Sequence, residues 1–175
     1  MDARELPFQN EFDLIFSNAA LHWIVDQKTV LDGVQRSLKP KGRLVVQMAG
    51  KGNAQGIISI LNDLLTEKPW RQFFVCFTFP YGFFSAEEYN AFLVEAGLKP
   101  WRVELFPRDM KHVGEEGLVG WIRTTWLPYT ERLPIELRDR FVKEIAARYL
   151  KNHPADAEGI VHLGMIRLEV EAYKQ

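Results

Sequence analysis

Residues 12 to 17, Phe-Asp-Leu-Ile-Phe-Ser, form a short β-favouring run whose apolar stretch is broken only by Asp13. Such a run predicts a strand covered on both faces in a mainly parallel sheet. After Asp26, an N-cap type, Val30, Leu31, Val34 and Leu38 recur at helical spacing, and Pro40 with Gly42 closes the pattern after about three turns. Arg43 to Ala49 then reads as a second strand following a Lys-Pro-Lys-Gly turn. Strand, helix and strand in that order predict a right-handed parallel crossover.

Further along, Ile57, Ile58, Ile60, Leu61, Leu64 and Leu65 define an amphipathic helix over 55–67, stopped before Pro69. Residues 69–84 are loop-like and aromatic. Ser85 and Glu88 make a capping box for a helix carrying Tyr89, Phe92, Leu93 and Ala96, and Gly97 terminates it. Trp101, Val103 and Leu105 alternate with Arg102 and Glu104 as in a half-buried strand, and residues 160–173 repeat the alternation. Two helical stretches lie between, 116–126 and 134–150, the second with Pro134 at its first helical position. The whole order implies an α/β sheet with helices on its faces. Only eleven residues precede the first strand. A central strand there lacks a partner on one flank, so the chain reads as incomplete.

Composition narrows the function classes. A length of 175 residues fits one domain, and 47% hydrophobic residues exclude intrinsic disorder. The formal charge of -1 offers no general attraction to nucleic acid or to anionic membranes. The single cysteine, Cys76, excludes an internal disulfide framework and a multi-thiolate zinc site. Its side chain reads as a small apolar core residue rather than a nucleophile. The start lacks a secretory pattern and no apolar run reaches a membrane-spanning length, so the expected location is cytoplasmic.

The order and spacing of Asp2-Ala3-Arg4-Glu5-Leu6-Pro7-Phe8, then the run from Phe12 to Trp23, then Leu38-Lys39-Pro40-Lys41-Gly42-Arg43-Leu44 resemble class I S-adenosylmethionine-dependent methyltransferases. The segment from Trp121 to Tyr129 is similar to the branch of trans-aconitate and related small-acid methyltransferases. The resemblance covers roughly the C-terminal two-thirds of such an enzyme, starting in the loop before its fourth strand. It implies a truncated Rossmann-like sheet of about four strands, with the last antiparallel between its neighbours. It also implies S-adenosylmethionine as cofactor, with Asp2 and Ala3 at the adenine and the backbone of Ser17, Asn18, Ala19 and Leu21 at the methionine half. The family's Asp/Glu-x-Gly-x-Gly turn and ribose-gripping acidic residue have no counterpart here. Gly50 and Gly52 come too late and read as turn residues. Without those loops, isolated donor binding is expected to be weak, each lost charged or polar hydrogen bond costing about 1.5 to 3 kcal/mol.

Methyl transfer from a sulfonium is an in-line displacement that needs positioning and exclusion of water. A carboxylate acceptor is already ionised at neutral pH, so clamps matter more than a general base. The candidates are His22 at the reacting centre, with Trp23, Trp121, Arg123, Thr124, Trp126 and Tyr129 around a small-molecule acceptor. Each also has a structural reading. His22 suits a helix start packed by tryptophan, and Trp121, Trp126 and Tyr129 suit a helical core. His112, His153 and His162 lack metal-ligand spacing, so no metal is expected. Residues 112–158 are expected to form a helical lid within a single partial domain. The unpaired flank of residues 12–17 predicts self-association, as a homodimer or with a complementing chain. The competing reading is a non-catalytic remnant or interaction subunit that pairs through that edge.

Overall fold

The structure is a computed structural model describing residues 1–175. Strand β1 (Phe12–Asn18) leads through a 3₁₀ turn (Leu21–Trp23) into helix α1 (Gln27–Ser37), and strand β2 (Leu38–Ala49) returns parallel to β1. Asp26 caps α1 as its position predicts, accepting from the Thr29 N–H at 3.2 Å and the Thr29 hydroxyl at 2.6 Å. The helix stops earlier than its apolar spacing suggests. Leu38, buried and on the helical stripe, is the first residue of β2 instead. The Lys39–Gly42 turn is absorbed into that strand as an irregularity: the register shifts between Phe12 and Leu14, and Lys41 takes φ 64°. A Cβ on Gly42 would lie 2.8 Å from the Lys39 carbonyl oxygen, so only glycine fits there.

The remaining elements are α2 (Gln55–Thr66), a 3₁₀ turn (Trp70–Phe73), α3 (Ala86–Glu95), β3 (Leu98–Val113), α4 (Gly114–Thr125), α5 (Leu127–Thr130), α6 (Ile135–Asn152) and β4 (Ile160–Lys174). The strand order β1-β2-β4-β3 places the last strand between β2 and β3, antiparallel to β2 with Leu44 opposite Ala172. This is the expected four-stranded α/β sheet. The capping box before α3 is complete: Glu88 N–H donates to the Ser85 hydroxyl at 3.2 Å, and Ser85 N–H donates to the Glu88 carboxylate at 2.8 Å. Gly97 follows in the left-handed region at φ 76°. Pro134 occupies the cap position of α6 with ψ 143°, one residue before the first helical position predicted for it.

The chain divides into two compact units, residues 1–53 with 80–108 and 166–175, and residues 54–79 with 109–165. In the first, Val30, Leu31 and Val34 of α1 and Tyr89 and Leu93 of α3 bury against Leu44, Val46 and Met48 of β2 and Leu168, Val170 and Ala172 of β4. The alternation of a pleated strand sends the intervening residues to the opposite face. There Arg43 pairs with Glu171 at 2.9 Å and Arg102 with Glu169 at 3.1 Å. In the second unit, Trp70, Trp126, Tyr129 and Phe141 are fully buried. Arg148 bridges Glu67 at 2.6 Å and Glu144 at 2.7 Å, and the Trp70 indole N–H donates to Glu144 at 3.0 Å.

Three burial expectations are corrected. Strand β1 is not covered on both faces: Ile15 packs on the core, but Leu14 and Phe16 on the other side are 53% and 65% exposed. The physical reason is position, since β1 is an edge strand paired only with β2. Trp101 is also exposed, at 74%, on edge strand β3, although Val103 and Leu105 pack inward as the alternation predicts. Cys76 is exposed rather than in the core, in a left-handed loop conformation at φ 56°.

Candidate functional site

At the C-terminal end of β1 the backbone makes a strained exit. Ala19 has φ 52°, a region that costs a non-glycine residue about 1 to 2 kcal/mol, and its N–H donates to the Gln47 carbonyl at 2.8 Å. Asn18 beside it is exposed, Ser17 half-buried. The 3₁₀ turn that follows carries Leu21 inward and His22 and Trp23 outward. Leu21 is buried in the core. Its carbonyl accepts from both Ile24 N–H and the Gln27 side-chain amide, so both lone pairs are taken.

His22 is half-buried between aromatic rings, 5.8 Å from Trp23 and 6.0 Å from Phe83 by ring centroids. Burial pushes its pKa down to about 4, so the imidazole is neutral near pH 7. Its Nδ1 is buried without a hydrogen-bond partner. A neutral imidazole with an orphaned buried nitrogen is a hydrogen-bonding group held in reserve rather than a cationic clamp. Trp23, 42% exposed, meets Tyr81 edge-on at 5.1 Å, and Tyr81 stacks on Phe83 at 5.3 Å. Gly82 lies between those two rings in sequence. Its N–H donates to the His22 carbonyl at 2.8 Å, and a Cβ there would come within 2.8 Å of the Ile24 carbonyl oxygen.

Asp2 and Ala3 belong to the same unit. Ala3 packs on its core, whereas Asp2 is exposed and clasped by Arg4, whose guanidinium donates to Oδ2 at 2.6 Å and whose N–H donates to Oδ1 at 2.9 Å. Those bonds lower the Asp2 pKa to about 2. Asp26, the cap of α1, is held below the usual carboxylate range mainly by its bonds from Thr29, with a smaller contribution from the Arg4 charge.

The other candidates lie in the second unit. Trp126 and Tyr129 are buried, their rings 5.7 Å apart, and Trp121 meets Trp126 edge-on at 6.1 Å. Phe77 stands 4.6 Å from Tyr129, and burial pushes the Tyr129 phenol upward. Arg123 is exposed and ion-paired to Asp139 at 2.6 Å. The Thr124 hydroxyl bonds back to the carbonyls of Gly120 and Trp121, both at 3.2 Å. The three rings therefore form one cluster, while the polar pair is engaged at the helix surface. His162 in this unit is bracketed by two carboxylates, Nδ1 at 2.7 Å from Asp109 and Nε2 at 2.9 Å from Asp156, and these raise its pKa, Asp156 most. No group of three His, Cys, Asp or Glu side chains is placed to hold a metal, and no helix is long and apolar enough to cross a membrane.

Sequence reasoning passed over Gln27, Tyr81, Gly82 and Phe83. Only Gly82, a glycine inside an aromatic run, carried a local signal for close approach.

The chain resembles known proteins along most of its length. The profile described as a methyltransferase domain matches residues 1–46. An uncharacterized methyltransferase of Schizosaccharomyces pombe is 35% identical over 112 residues, covering 62% of this chain and 43% of that protein. The trans-aconitate 2-methyltransferase of Variovorax paradoxus is 27% identical over 173 residues, covering 93% of this chain and 63% of its own length. The chain thus spans less than two thirds of the length of these two curated relatives. Among solved structures, a Bacillus halodurans protein assigned as a methyltransferase and the YcgJ protein of Bacillus subtilis share the fold. Both have a TM-score of 0.58, with 15% and 14% identity, covering 99% and 100% of this chain and 69% of each of theirs.

Proposed function

Because the chain belongs to the class I S-adenosylmethionine-dependent methyltransferase family, we propose that it takes part in methyl transfer from S-adenosylmethionine to a small carboxylate or related oxygen acceptor. The observation that carries this reading is the exit from β1: left-handed Ala19, exposed Asn18 and half-buried His22 with an unpartnered Nδ1. Strained backbone and unsatisfied buried nitrogen persist where a ligand uses them. The carboxyl end of a parallel strand is also where such sheets bind their ligands.

When bound, S-adenosylmethionine supplies an electrophilic methyl group on a sulfonium. Asp2, kept ionised by Arg4, is an acceptor suited to the exocyclic amine of adenine, with Ala3 beside it. Ser17, Asn18 and Ala19 face the amino-acid half, whereas Leu21 contributes shape rather than its carbonyl, which is saturated. His22, neutral, orients an acceptor oxygen by one hydrogen bond, and Trp23 excludes water beside it. An acceptor carboxylate needs no proton removed, so a neutral histidine suffices.

We further infer that the outer edge of β1 takes a strand from another segment, which completes the donor site. Exposed Leu14 and Phe16 on an edge strand support it. The second reading, an interaction subunit without catalysis, rests on the same edge. Calorimetry with S-adenosylmethionine separates them. Weak binding by this chain, tightened when a glycine-rich N-terminal methyltransferase segment is supplied and weakened again by Asn18→Ala, supports the enzyme. Pairing with that segment without donor binding supports the interaction subunit. Micromolar donor binding by this chain alone contradicts the need for completion.

A further inference from the structure

The turn that carries His22 is held from beneath by one side chain. Gln27, the first residue of α1, is 1% exposed. Its amide nitrogen donates to the Leu21 carbonyl at 2.9 Å and to the Ile24 carbonyl, the two ends of the 3₁₀ turn. Its amide oxygen accepts from the Tyr89 hydroxyl of α3 at 3.0 Å. Only this orientation of the amide works, since two carbonyls require a donor and the hydroxyl then needs an acceptor. Every polar group in the network is satisfied, a state in which buried polar clusters fix geometry.

We propose that Gln27 is a positioning residue for the candidate site: by clamping both ends of the turn to α3, it fixes how His22 and Trp23 are presented. The proposal rests on reading this turn as part of the methyl-transfer site. Packing of Leu21 and of the His22 and Trp23 rings holds the turn as well, but few other hydrogen bonds tie it to the rest of the fold. Trp23 and Ile24 N–H groups bond only within the turn, to Ala20 and Leu21. The Gly82 N–H holds the His22 carbonyl from above at 2.8 Å. Gln27 and Gly82 therefore grip the turn from two sides, and of the two only Gln27 acts through a side chain that substitution can remove. Leucine at position 27 would fill similar volume but leave the Tyr89 hydroxyl and the Ile24 carbonyl without the amide, and the Leu21 carbonyl with only the Ile24 N–H.

The test follows the His22 ring by proton NMR as a function of pH in the native chain, Gln27→Leu, Tyr89→Phe and, as a packing control, Leu93→Ala. Loosening the clamp lets water reach the imidazole, so in Gln27→Leu the His22 midpoint is expected to rise by about one pH unit or more toward its ordinary value. Tyr89→Phe keeps both carbonyl bonds and should move it less, in the same direction. Leu93→Ala lowers the melting temperature and leaves the midpoint in place. If Gln27→Leu melts lower while His22 titrates as in the native chain, Gln27 is only structural and the proposal fails. Should Gln27→Leu not fold, Tyr89→Phe decides alone, and an unmoved midpoint there overturns the proposal. Calorimetry with S-adenosylmethionine on the completed protein separates this from the functional reading: a moved midpoint with no donor binding in any variant keeps the clamp and removes the methyl-transfer assignment.

Discussion

The turn after β1 and the aromatic cluster of the second unit both gather tryptophan and a polar neighbour, yet they spend their polar groups differently. Around Trp121, Trp126 and Tyr129 the rings bury one another, and Arg123 and Thr124 bond to Asp139 and to their own helix. Around His22 a buried nitrogen is left without a partner, and the backbone beside it sits in a strained region. An unpaired buried ring nitrogen does not by itself separate them, since His112 Nε2, packed on Trp121, is orphaned as His22 Nδ1 is. The left-handed Ala19 and the hydrogen-bonded clamp set the first region at the carboxyl end of a parallel strand, where such sheets bind ligands, and that favours it as the place where a ligand is handled.

The sharpest way to break this contrast is Trp126→Ala. If the cluster is a core, the substitution costs about 3 to 5 kcal/mol, read as a drop in the denaturant midpoint. A pocket wall would cost far less, and an effect near zero would move the acceptor site toward that cluster.

The two histidines sharpen it next, because their pH dependences have opposite signs. His22 is lowered by burial to about 4 from 6.5, so between those values the unfolded chain binds a proton that the folded turn does not. Stability from this group is full above 6.5 and falls as pH drops through that window. His162 is raised above 6.5 by Asp156 and Asp109, so its contribution is full below 6.5 and is lost as pH rises through the folded value. Thermal unfolding from pH 4 to 8 should lose its acid limb partly in His22→Gln and its neutral limb partly in His162→Gln.

Smaller still, Ser85→Ala should cost about 1 kcal/mol by removing the cap of α3, with a matching loss in melting temperature. Phe16→Lys, on the exposed side of β1, should change stability by less than about 0.5 kcal/mol. Its effect belongs to association instead. Light scattering should show any self-association of the native chain abolished by that variant, and an unchanged assembly would show that the β1 edge is not the contact.

The elements legible in the sequence are those built from local rules. The Asp26 cap, the Ser85–Glu88 box and the left-handed Gly97 all stand where spacing puts them. Leu38 shows the limit of periodicity, since an apolar residue in helical register is equally suited to begin a buried strand. The exposure of Leu14, Phe16 and Trp101 was hidden for a different reason: it depends on which strands lie at the edges, and edge position is a property of pairing rather than of composition. In the candidate site, His22 and Trp23 were visible because they follow a strand end. Gln27 was not, because its role comes from Tyr89, sixty-two positions away, and nothing in a helix-start glutamine announces that partner.

The charged ladder of Arg43, Arg102, Glu169 and Glu171 on the sheet face opposite the core has a bearing on how any neighbour adheres. A body resting there must tolerate a hydrated mosaic of both signs, whose pull fades beyond a Debye length of about 8 Å at physiological ionic strength. Such adhesion should loosen in brine, whereas hydrogen bonding along the neighbouring β1 rim should hardly notice it. A titration with sodium chloride therefore tells which of these two adjoining surfaces a companion has grasped.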